Sequence, residues 1–347
     1  MITKKDYVII FKNDAVGDLT QSLRAIYKIL KKYKNQKIII YLSERSEKFN
    51  FLIKGDNIEF RKLNYNISLF EKFRIFFLVL TSKISDVFIL TPKNFYFYLP
   101  FLFRNIKFHA LCINGQNNYK RPSEFLRKYL YKYEINNRAA KYKREHTTKI
   151  QEKLIDYQIN NDQNLIIKTK ISPFLEKNLP KDFIYFHLKK EIVQKLGWNE
   201  NNLKELFDNL LNYYDSLVIT QDIEKNINQN FIRESFNYID FENRKIFIKN
   251  KNSKIILFDN IEGEDLYNTI YKSSKILAFH GMMTNLGAIH EKSITDMWYC
   301  EINNLKDYRN YRNAFYEFKP NYKRYNFIIP SKDIKKTIKK LKFSLVK

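Results

Sequence analysis

The sequence predicts an α/β protein with two domains, each built as a parallel sheet with helices on both faces. Short apolar runs such as Tyr7–Phe11 and Phe183–His187 alternate with stretches of helical periodicity. The alternation weakens between about residues 116 and 164 and then begins again. The 347 residues, of which 44% are hydrophobic, are enough to give each half its own core. Strands that alternate with helices form parallel sheets, so we expect two doubly wound domains.

We assign the first domain to residues 1–165. We interpret its predicted strands as short and buried, because most of them consist mainly of apolar residues. The strands are Tyr7–Phe11, Lys37–Leu42, Ile58–Leu63, Val87–Leu90 and Lys107–Cys112, and the clearest helices are Thr20–Lys32 and Leu69–Ser82.

We assign the second domain to residues 178–330, and residues 331–347 to a basic end segment. Ser331–Lys342 is predicted as an amphipathic helix, which we expect to return to the first domain or to touch a membrane. In doubly wound sheets the ligands bind at the carboxyl ends of the strands. The second set of strands is Phe183–His187, Ser216–Thr220, Lys254–Phe258, Ile276–Phe279 and Ile294–Trp298, with helices at Asn201–Tyr214, Gly263–Lys272 and Asn285–His290.

Composition excludes several classes of protein. The start, Met-Ile-Thr-Lys-Lys-Asp, lacks a basic region followed by an apolar stretch and a small-residue cleavage site, so we expect no signal peptide. The apolar run Ile75–Leu80 is far shorter than the about 20 residues that span a bilayer, so we expect a cytoplasmic protein. Cys112 and Cys300 belong to no metal-ligating pattern. We therefore expect neither a disulfide framework nor a zinc site, and we interpret both cysteines as small buried hydrophobes.

The formal net charge of +25 has two interpretations. A strongly basic surface attracts polyanions such as nucleic acids, but the whole chain is rich in Lys, Asn, Ile, Tyr and Phe, which is a general compositional bias. We favour the bias and expect no nucleic-acid partner. The strongest local excess lies in residues 119–149, where ten basic residues stand with three glutamates among tyrosines and leucines. This mixture suits an anionic membrane or an acidic lipid-linked acceptor, and equally a solvated basic helix.

Two aspartates occupy the loop between the first strand and the first helix, in the stretch Asn13-Asp14-Ala15-Val16-Gly17-Asp18. Free backbone amides and the helix dipole make the local field positive, so a carboxylate stays ionised there. One interpretation makes Asp18 a helix cap and Asp14 a turn residue. The other gives either carboxylate a role in chemistry at this edge of the sheet.

The stretch FKNDAVGDLTQSLRAIYKIL (residues 11–30) resembles the amino-terminal motif of glycosyltransferase family 9, the heptosyltransferase type, in which a strand leads into a Gly-Asp pair and a helix. Most of the chain takes part in the resemblance, which implies the GT-B fold: two doubly wound Rossmann-like domains that face a central cleft, the first binding the acceptor and the second the donor. Later segments of the family are similar, in the same order, to SDVFILTP (85–92), HTTKIQEKLIDYQI (146–159), FIYFHLKKEIVQKLGWNENNLKELFDNLL (183–211), LVITQDIEKN (217–226) and SSKILAFHGMMTNLGAIHEKSITDMW (273–298).

The resemblance also implies roles for individual residues. Asp18 matches the base that deprotonates the acceptor hydroxyl, and Asp14 is the second choice. Lys195 stands where the family has a lysine for the donor diphosphate, and Lys189 can share that role. Glu224 matches the carboxylate that binds the nucleotide ribose.

The loop Gly281–Asn285 precedes a helix, and its amides can bind a diphosphate without a metal ion. The sequence departs from the family at Phe279-His280, where the family has an acid and a small polar residue, and at Met283-Thr284, where it has a Thr/Ser-His pair. A histidine here would add positive charge near the diphosphate. The complete set of implied donor-binding residues is Lys189, Lys195, Glu224, His280, Gly281, Met283, Thr284 and Asn285.

We therefore expect a metal-independent, inverting glycosyltransferase in the cytoplasm, associated with the inner face of the membrane. It would move heptose or another hexose-like sugar from a nucleotide diphosphate sugar to a saccharide or glycolipid acceptor in lipopolysaccharide or related envelope glycan synthesis. It would need no cofactor besides this co-substrate. Two other classes stay open: a non-catalytic binding protein on the same scaffold, which the altered donor loop favours, and a nucleic-acid-binding protein, which only the charge favours.

Overall fold

The computed structural model describes residues 7–114, 122–138, 144–158, 167–221, 237–241, 244–248, 254–258, 261 and 263–345. The chain divides into two compact units. Unit 1 comprises Met1–Leu165 and Ile302–Lys319, and unit 2 comprises Ile166–Glu301 and Pro320–Lys347. The segment that returns to unit 1 is thus Ile302–Lys319. The expectation that Ser331–Lys342 returns there is wrong, because that helix belongs to unit 2.

Unit 1 contains a six-stranded sheet in which neighbouring strands are parallel. Its elements are β1 (Tyr7–Lys12), α1 (Val16–Lys32), β2 (Lys37–Ser43), a 3₁₀ helix (Glu47–Leu52), β3 (Ile58–Leu63), α2 (Leu69–Thr81), β4 (Ile84–Ile89), α3 (Asn94–Leu102), β5 (Lys107–Asn114), α4 (Glu124–Arg127), β6 (Lys132–Asn137) and α5 (Thr147–Lys153). The strand order is β3-β2-β1-β4-β5-β6. It reverses between β1 and β4, so the carboxyl ends of these two strands frame the crevice where such sheets bind ligands.

Unit 2 contains a second six-stranded parallel sheet. The remaining elements among the described residues are α6 (Pro173–Asn178), β7 (Ile184–Leu188), α7 (Lys190–Leu196), α8 (Glu200–Leu210), β8 (Ser216–Gln221), β9 (Asn237–Phe241), β10 (Arg244–Ile248), β11 (Lys254–Phe258), α9 (Gly263–Lys272), β12 (Lys275–Phe279), α10 (Met282–Ile289), β13 (Ser293–Met297), α11 (Leu305–Phe318), β14 (Tyr325–Ile328) and α12 (Ile334–Leu345). The order is β11-β8-β7-β12-β13-β14, with the reversal between β7 and β12. β9 and β10 pair in antiparallel orientation, and α11 belongs to unit 1.

Both faces of the central strands are covered by helices. In β1, residues Val8–Phe11 are completely buried, so their side chains contact apolar groups on both sides of the sheet. α1 buries Leu19, Leu23 and Ile26, which recur at intervals of three or four residues and therefore lie on one side of the helix. Burying each of these side chains stabilises the fold by about 1.5–3 kcal/mol.

The predicted α/β fold with two doubly wound sheets is confirmed, although the sequence missed both strands β6 and β14. β6 alternates polar residues with the exposed side chains of Tyr133 and Ile135, which is typical of an edge strand rather than a buried one. β14 has only four residues. β4 begins at Ile84 rather than at Val87, because Asp86 is accepted inside the strand through a 2.9 Å contact between its Oδ1 atom and His109 Nε2.

Within the described ranges, no helix combines the length and the apolar composition that a membrane span requires. Cys112 lies buried in β5, as expected, and burial raises the pKa of its thiol to about 12. Cys300 is only partly buried, because it lies in the loop after β13. The interpretation of Cys300 as a buried hydrophobe is therefore wrong.

Candidate active site

Asp14 is fixed at the carboxyl edge of the first sheet by residues near the ends of three strands. Its Oδ2 atom accepts hydrogen bonds from Lys12 Nζ (2.7 Å) and Thr91 Oγ1 (2.8 Å). Its carbonyl oxygen accepts a third from Ser43 Oγ (2.6 Å). Lys12 ends β1 and its side chain is only 2% exposed, and a buried ammonium group needs an anionic partner. Asp14 is therefore the counter-ion of Lys12.

Asp18 has a different environment, although it is only four residues away. α1 begins after Ala15, which makes no side-chain capping bond, and Asp18 is the third residue of the helix. The Asp18 side chain is exposed, and no group among the described residues donates a hydrogen bond to its carboxylate. The interpretation of Asp18 as a helix cap is therefore wrong.

The surroundings of Asp18 disfavour its charged form. Although solvent reaches the side chain, desolvation by the protein atoms around the carboxyl group and the charge of Asp14 raise its pKa above the ordinary value of 3.8. Lys12 and Arg138 act in the opposite direction and only partly offset this rise. An accessible carboxylate that is more basic than usual is suited to accept a proton from a ligand.

A buried carboxylate, Glu317, anchors α11 to unit 1. Its Oε1 atom accepts hydrogen bonds from Asn136 Nδ2 (2.7 Å), Arg138 Nε (2.7 Å) and Thr147 Oγ1 (3.3 Å), and Oε2 accepts one from Arg144 Nη1 (2.9 Å). The Glu317 side chain is completely buried. This network joins the end of α11 to β6 and to the start of α5.

The same network changes the interpretation of the basic segment 119–149. Its described part forms α4, β6 and the beginning of α5 rather than one basic helix. Arg138 and Arg144 neutralise Glu317, and both are only 11% exposed. Two of the ten cations thus have an internal partner and do not add to a basic surface.

The loop after β12 in unit 2 brings a lysine against a glycine. Gly281 has a φ of 151°, a conformation that favours glycine. A Cβ atom here would lie 2.5 Å from Lys189 Nζ, and Lys189 Nζ donates a hydrogen bond to the carbonyl oxygen of His280. Lys189 directly follows β7, so the ends of β7 and β12 meet at this point. Any larger residue would force the ammonium group to move.

His280 is held by a carboxylate that the sequence analysis did not single out. Its Nδ1 atom lies 2.7 Å from Asp296 Oδ2, and its ring stacks on Trp298 with centroids 3.6 Å apart. Asp296 is completely buried and also accepts hydrogen bonds from Tyr325 OH (2.9 Å) and Thr284 Oγ1 (3.0 Å). We assign the ring proton to Nδ1, because a carboxylate only accepts. Nε2 then remains for a ligand.

α10 begins at the same place, with Gly281 as its N-cap. The first amides of a helix have no acceptors within the helix and carry the positive end of its dipole. The side chains of Met283 and Thr284 bond elsewhere, because Met283 Sδ accepts from Tyr185 OH (3.2 Å) and Thr284 donates to Asp296. The Asn285 amide donates to the Gly281 carbonyl oxygen (3.1 Å). Met283 and Thr284 can therefore meet an anion only through their backbone N–H groups.

We call Lys189, His280, Gly281 and Asp296 the donor cluster. It combines a lysine, a histidine backed by a buried carboxylate and a helix start, which together suit a phosphate-like anion. In the ranges that the structure describes, no group of three or more His, Cys, Asp or Glu side chains is arranged to hold a metal ion.

The other two sequence-predicted residues, Lys195 and Glu224, and the strand-end histidine His187 have different placements. Lys195 Nζ bonds to Glu191 Oε1 (2.5 Å) on the exposed side of α7, and this bond raises the pKa of Lys195. Glu224 lies outside the described residues. His187 is buried, and its Nδ1 atom lies 2.8 Å from Thr220 Oγ1, which is the environment of a structural histidine.

Asp296 and Glu317 differ in how far the sequence could have revealed them. Asp296 is an acid inside the apolar run Ile294–Trp298, and an acid in a buried strand requires partners, so a signal existed. Glu317 gave no local signal, because its partner Arg138 is 179 residues away in the sequence.

Comparison with known proteins supports the fold. No family profile and no curated protein matches the sequence itself. Among solved structures, a glycosyltransferase family 9 protein from Veillonella parvula matches with a TM-score of 0.66 and 11% identity, over 100% of this chain and 99% of its own. The E. coli ADP-heptose LPS heptosyltransferase II matches with a TM-score of 0.61 and 11% identity, over 98% of each chain. The chain therefore has the two-domain GT-B-type fold of these glycosyltransferases.

A protein with another activity has a similar fold. The UDP-GlcNAc 2-epimerase from Methanocaldococcus jannaschii matches with a TM-score of 0.51 and 13% identity, over 98% of this chain and 92% of its own. At such identities the similarity shows the fold alone. The chemistry has to be argued from the residues of the site.

Proposed function

We propose that the protein is a glycosyltransferase that moves a sugar from a nucleotide diphosphate sugar to a hydroxyl group of a saccharide acceptor, with inversion at the sugar carbon. The observation that carries this proposal is the contrast between the two aspartates. Asp14 is bound to a buried lysine, whereas Asp18 is exposed, has no hydrogen-bond donor among the described residues and has a raised pKa. Matches to glycosyltransferase structures over the whole chain support the same class.

In the proposed reaction Asp18 takes the proton from the acceptor hydroxyl. The hydroxyl oxygen forms a bond to the anomeric carbon of the donor sugar, from the face opposite the nucleotide. The bond between that carbon and the diphosphate oxygen breaks, and its electron pair leaves with the nucleoside diphosphate. One displacement of this kind inverts the configuration, and it requires one base and one site for the developing phosphate charge.

The donor cluster supplies the site for that charge in our proposal. Lys189 provides a point charge, and His280, held at Nδ1 by Asp296, leaves Nε2 for a hydrogen bond to the ligand. The first amides of α10 add hydrogen-bond donors, so the diphosphate is bound without a metal ion. We assign the diphosphate lysine to Lys189 rather than to Lys195, because Lys195 is paired with Glu191.

For the donor we propose an ADP-linked heptose or another hexose-like sugar, because the E. coli neighbour is an ADP-heptose heptosyltransferase. The acceptor in this proposal is a saccharide or glycolipid of lipopolysaccharide or a related envelope glycan, and the reaction takes place in the cytoplasm at the inner face of the membrane. A second candidate is a non-catalytic binding protein, which the unusual His280 in the donor loop favours. Such a protein would bind the donor but would not need Asp18.

The test is Asp18→Asn, measured as release of nucleoside diphosphate from a nucleotide sugar in the presence of a pool of envelope oligosaccharides. We expect transfer to fall by roughly 100-fold or more, the usual contribution of a general base, while donor binding stays unchanged. Because the raised pKa shows that the folded chain disfavours the ionised form, the charge costs stability at pH values above that pKa. Asp18→Asn should therefore unfold at the same or a higher temperature.

Asp307→Asn is the matched control, because Asp307 is a partly exposed third residue of a helix, α11. Its carboxylate accepts a hydrogen bond from the Asn303 amide (3.2 Å), so this variant should be slightly less stable and fully active. Full transfer activity in Asp18→Asn would contradict the proposal. A lower unfolding temperature for that variant would mean that Asp18 only stabilises the helix start.

A further inference from the structure

The outer face of α2 in unit 1 is apolar and exposed. Phe70, Phe73, Phe77 and Leu80 recur at intervals of three or four residues and therefore lie on one side of the helix. Each keeps more than half of its surface exposed, from 55% at Phe73 to 77% at Phe70. The opposite side, which includes Ile75, is buried in the core of the unit. α2 thus has one apolar side in the core and another in contact with solvent.

The exposed apolar surface continues onto α3 and α4. The connections from β3 to β6 run in one direction across the sheet, so right-handed crossovers place α2, α3 and α4 on the same face. Phe76 of α2 packs on Phe103 with ring centroids 5.4 Å apart, and Phe101 of α3 packs on Phe125 of α4 with centroids 5.7 Å apart. We define the apolar face by its exposed members Phe70, Phe73, Phe77, Leu80, Leu102 and Phe125.

Basic side chains flank the apolar face. Arg74 is exposed on α2, and Lys128 is exposed at the end of α4. Arg104 is exposed after α3, and its guanidinium group lies 6.0 Å from the ring centroid of Phe101. The acidic residue of α2, Glu71, is occupied by hydrogen bonds that cap the start of the helix. The surface therefore combines protruding aromatic groups with an excess of positive charge.

We propose that the apolar face docks unit 1 onto a lipid bilayer that contains anionic lipids. Phenylalanine and leucine side chains enter the boundary between head groups and acyl chains, and the flanking cations contact lipid phosphates. α2 has 13 residues, or about 20 Å, which is shorter than the roughly 30 Å of a hydrocarbon core, so the helix lies along the surface. A second copy of this chain fits less well, because a two-fold contact would bring Arg74, Arg104 and Lys128 of both copies together.

The apolar face begins beside the turn that carries the two aspartates. Asn64, which follows β3, accepts a hydrogen bond at its carbonyl oxygen from Asn13 Nδ2 (3.3 Å). α2 starts five residues later, at Leu69. A saccharide attached to a lipid of the bound bilayer would approach this same edge of unit 1. This last step rests on the proposed function, whereas the docking does not.

The test is co-flotation of the full chain with vesicles of phosphatidylcholine alone and of phosphatidylcholine mixed with phosphatidylglycerol, without any nucleotide. We expect binding to the mixed vesicles, and binding at least about tenfold weaker for Phe73→Ser combined with Phe77→Ser, since each loses a large apolar group from the interface. Arg104→Gln combined with Lys128→Gln should reduce the preference for the anionic vesicles. Phe343→Ser is the control, because Phe343 is also an exposed phenylalanine (71%) but lies on α12 of unit 2.

Equal vesicle binding by the wild type and the double phenylalanine variant would overturn the proposal. So would a wild type that binds neither kind of vesicle, or a Phe343→Ser variant that loses as much binding as the double variant. Light scattering gives another overturning result: a wild-type dimer that the double variant converts to a monomer would mean that a second copy covers this face. An unchanged unfolding midpoint shows that the exposed substitutions leave the fold intact. Asp18→Asn should bind vesicles like the wild type, so failure of the docking is separate from failure of the proposed transfer.

Discussion

Glu317→Gln should destabilise unit 1 and leave unit 2 folded. The carboxylate is completely buried between Arg138 and Arg144, at 2.7 Å and 2.9 Å. Glutamine keeps the shape but has no charge and only one acceptor oxygen, so two buried guanidinium groups lose their anion. Removing one partner of a buried ion pair costs about 3–5 kcal/mol. At roughly 2–4 °C per kcal/mol for a unit of this size, the midpoint of unit 1 should fall by about 6–20 °C.

The two units can be followed separately in the same experiment. Both tryptophans of the chain, Trp198 and Trp298, lie in unit 2, so their fluorescence reports on unit 2 while circular dichroism reports on both. For Glu317→Gln we expect an early transition by circular dichroism and an unchanged fluorescence midpoint. Glu145→Gln, which removes an exposed ion pair with Lys153, is the control and should cost less than about 1 kcal/mol. Wild-type midpoints by both probes would refute the reasoning.

Two further predictions concern unit 2. Gly281→Ala should weaken nucleoside diphosphate binding about 10–100-fold, because the new Cβ would displace Lys189 and a hydrogen bond to a charged group is worth about 1.5–3 kcal/mol. The control is Gly197→Ala, because Gly197 also has a positive φ but has open space around it. An equal loss of binding in both variants would contradict this explanation. Acid should destabilise the unit through His290, which is packed against Tyr267 and Tyr271 and whose pKa is lowered by burial from 6.5 to about 4. The folded chain disfavours the protonated ring, so the contribution of His290 to the free energy of unfolding is complete above pH 6.5 and is lost as the pH falls through about 4. This loss amounts to at most about 3 kcal/mol. His290→Phe should abolish this part of the loss of stability in acid, measured by urea unfolding followed by tryptophan fluorescence. A pH dependence identical to that of the wild type would count against the role of His290.

The central strands could be predicted because their signal is local. Val8–Phe11 in β1 form a continuous apolar run that is buried on both faces, and α1 repeats its apolar residues with helical periodicity. β6 could not be recognised in the same way. It is an edge strand whose pairing with β5 depends on the sheet rather than on its own composition.

The candidate site was predictable in its loops but not in its individual contacts. Spacing placed Asp14 and Asp18 in one turn, but the sequence could not show that Asp14 would be bound by the buried Lys12. Spacing likewise could not choose between Lys189 and Lys195. That choice depends on Gly281, which is 92 residues beyond Lys189 and reaches it only because β7 and β12 are neighbours in the sheet.

The most direct test of the account is the binding of nucleoside diphosphates and nucleotide sugars, measured by thermal shift, to the wild type, to Lys189→Ala and to Lys195→Ala. A ligand that binds only the folded state raises the midpoint of unfolding. The account predicts a shift with one nucleotide family, loss of the shift in Lys189→Ala and its retention in Lys195→Ala, whose side chain is paired with Glu191. A folded wild type that responds to no nucleotide would contradict the glycosyltransferase proposal.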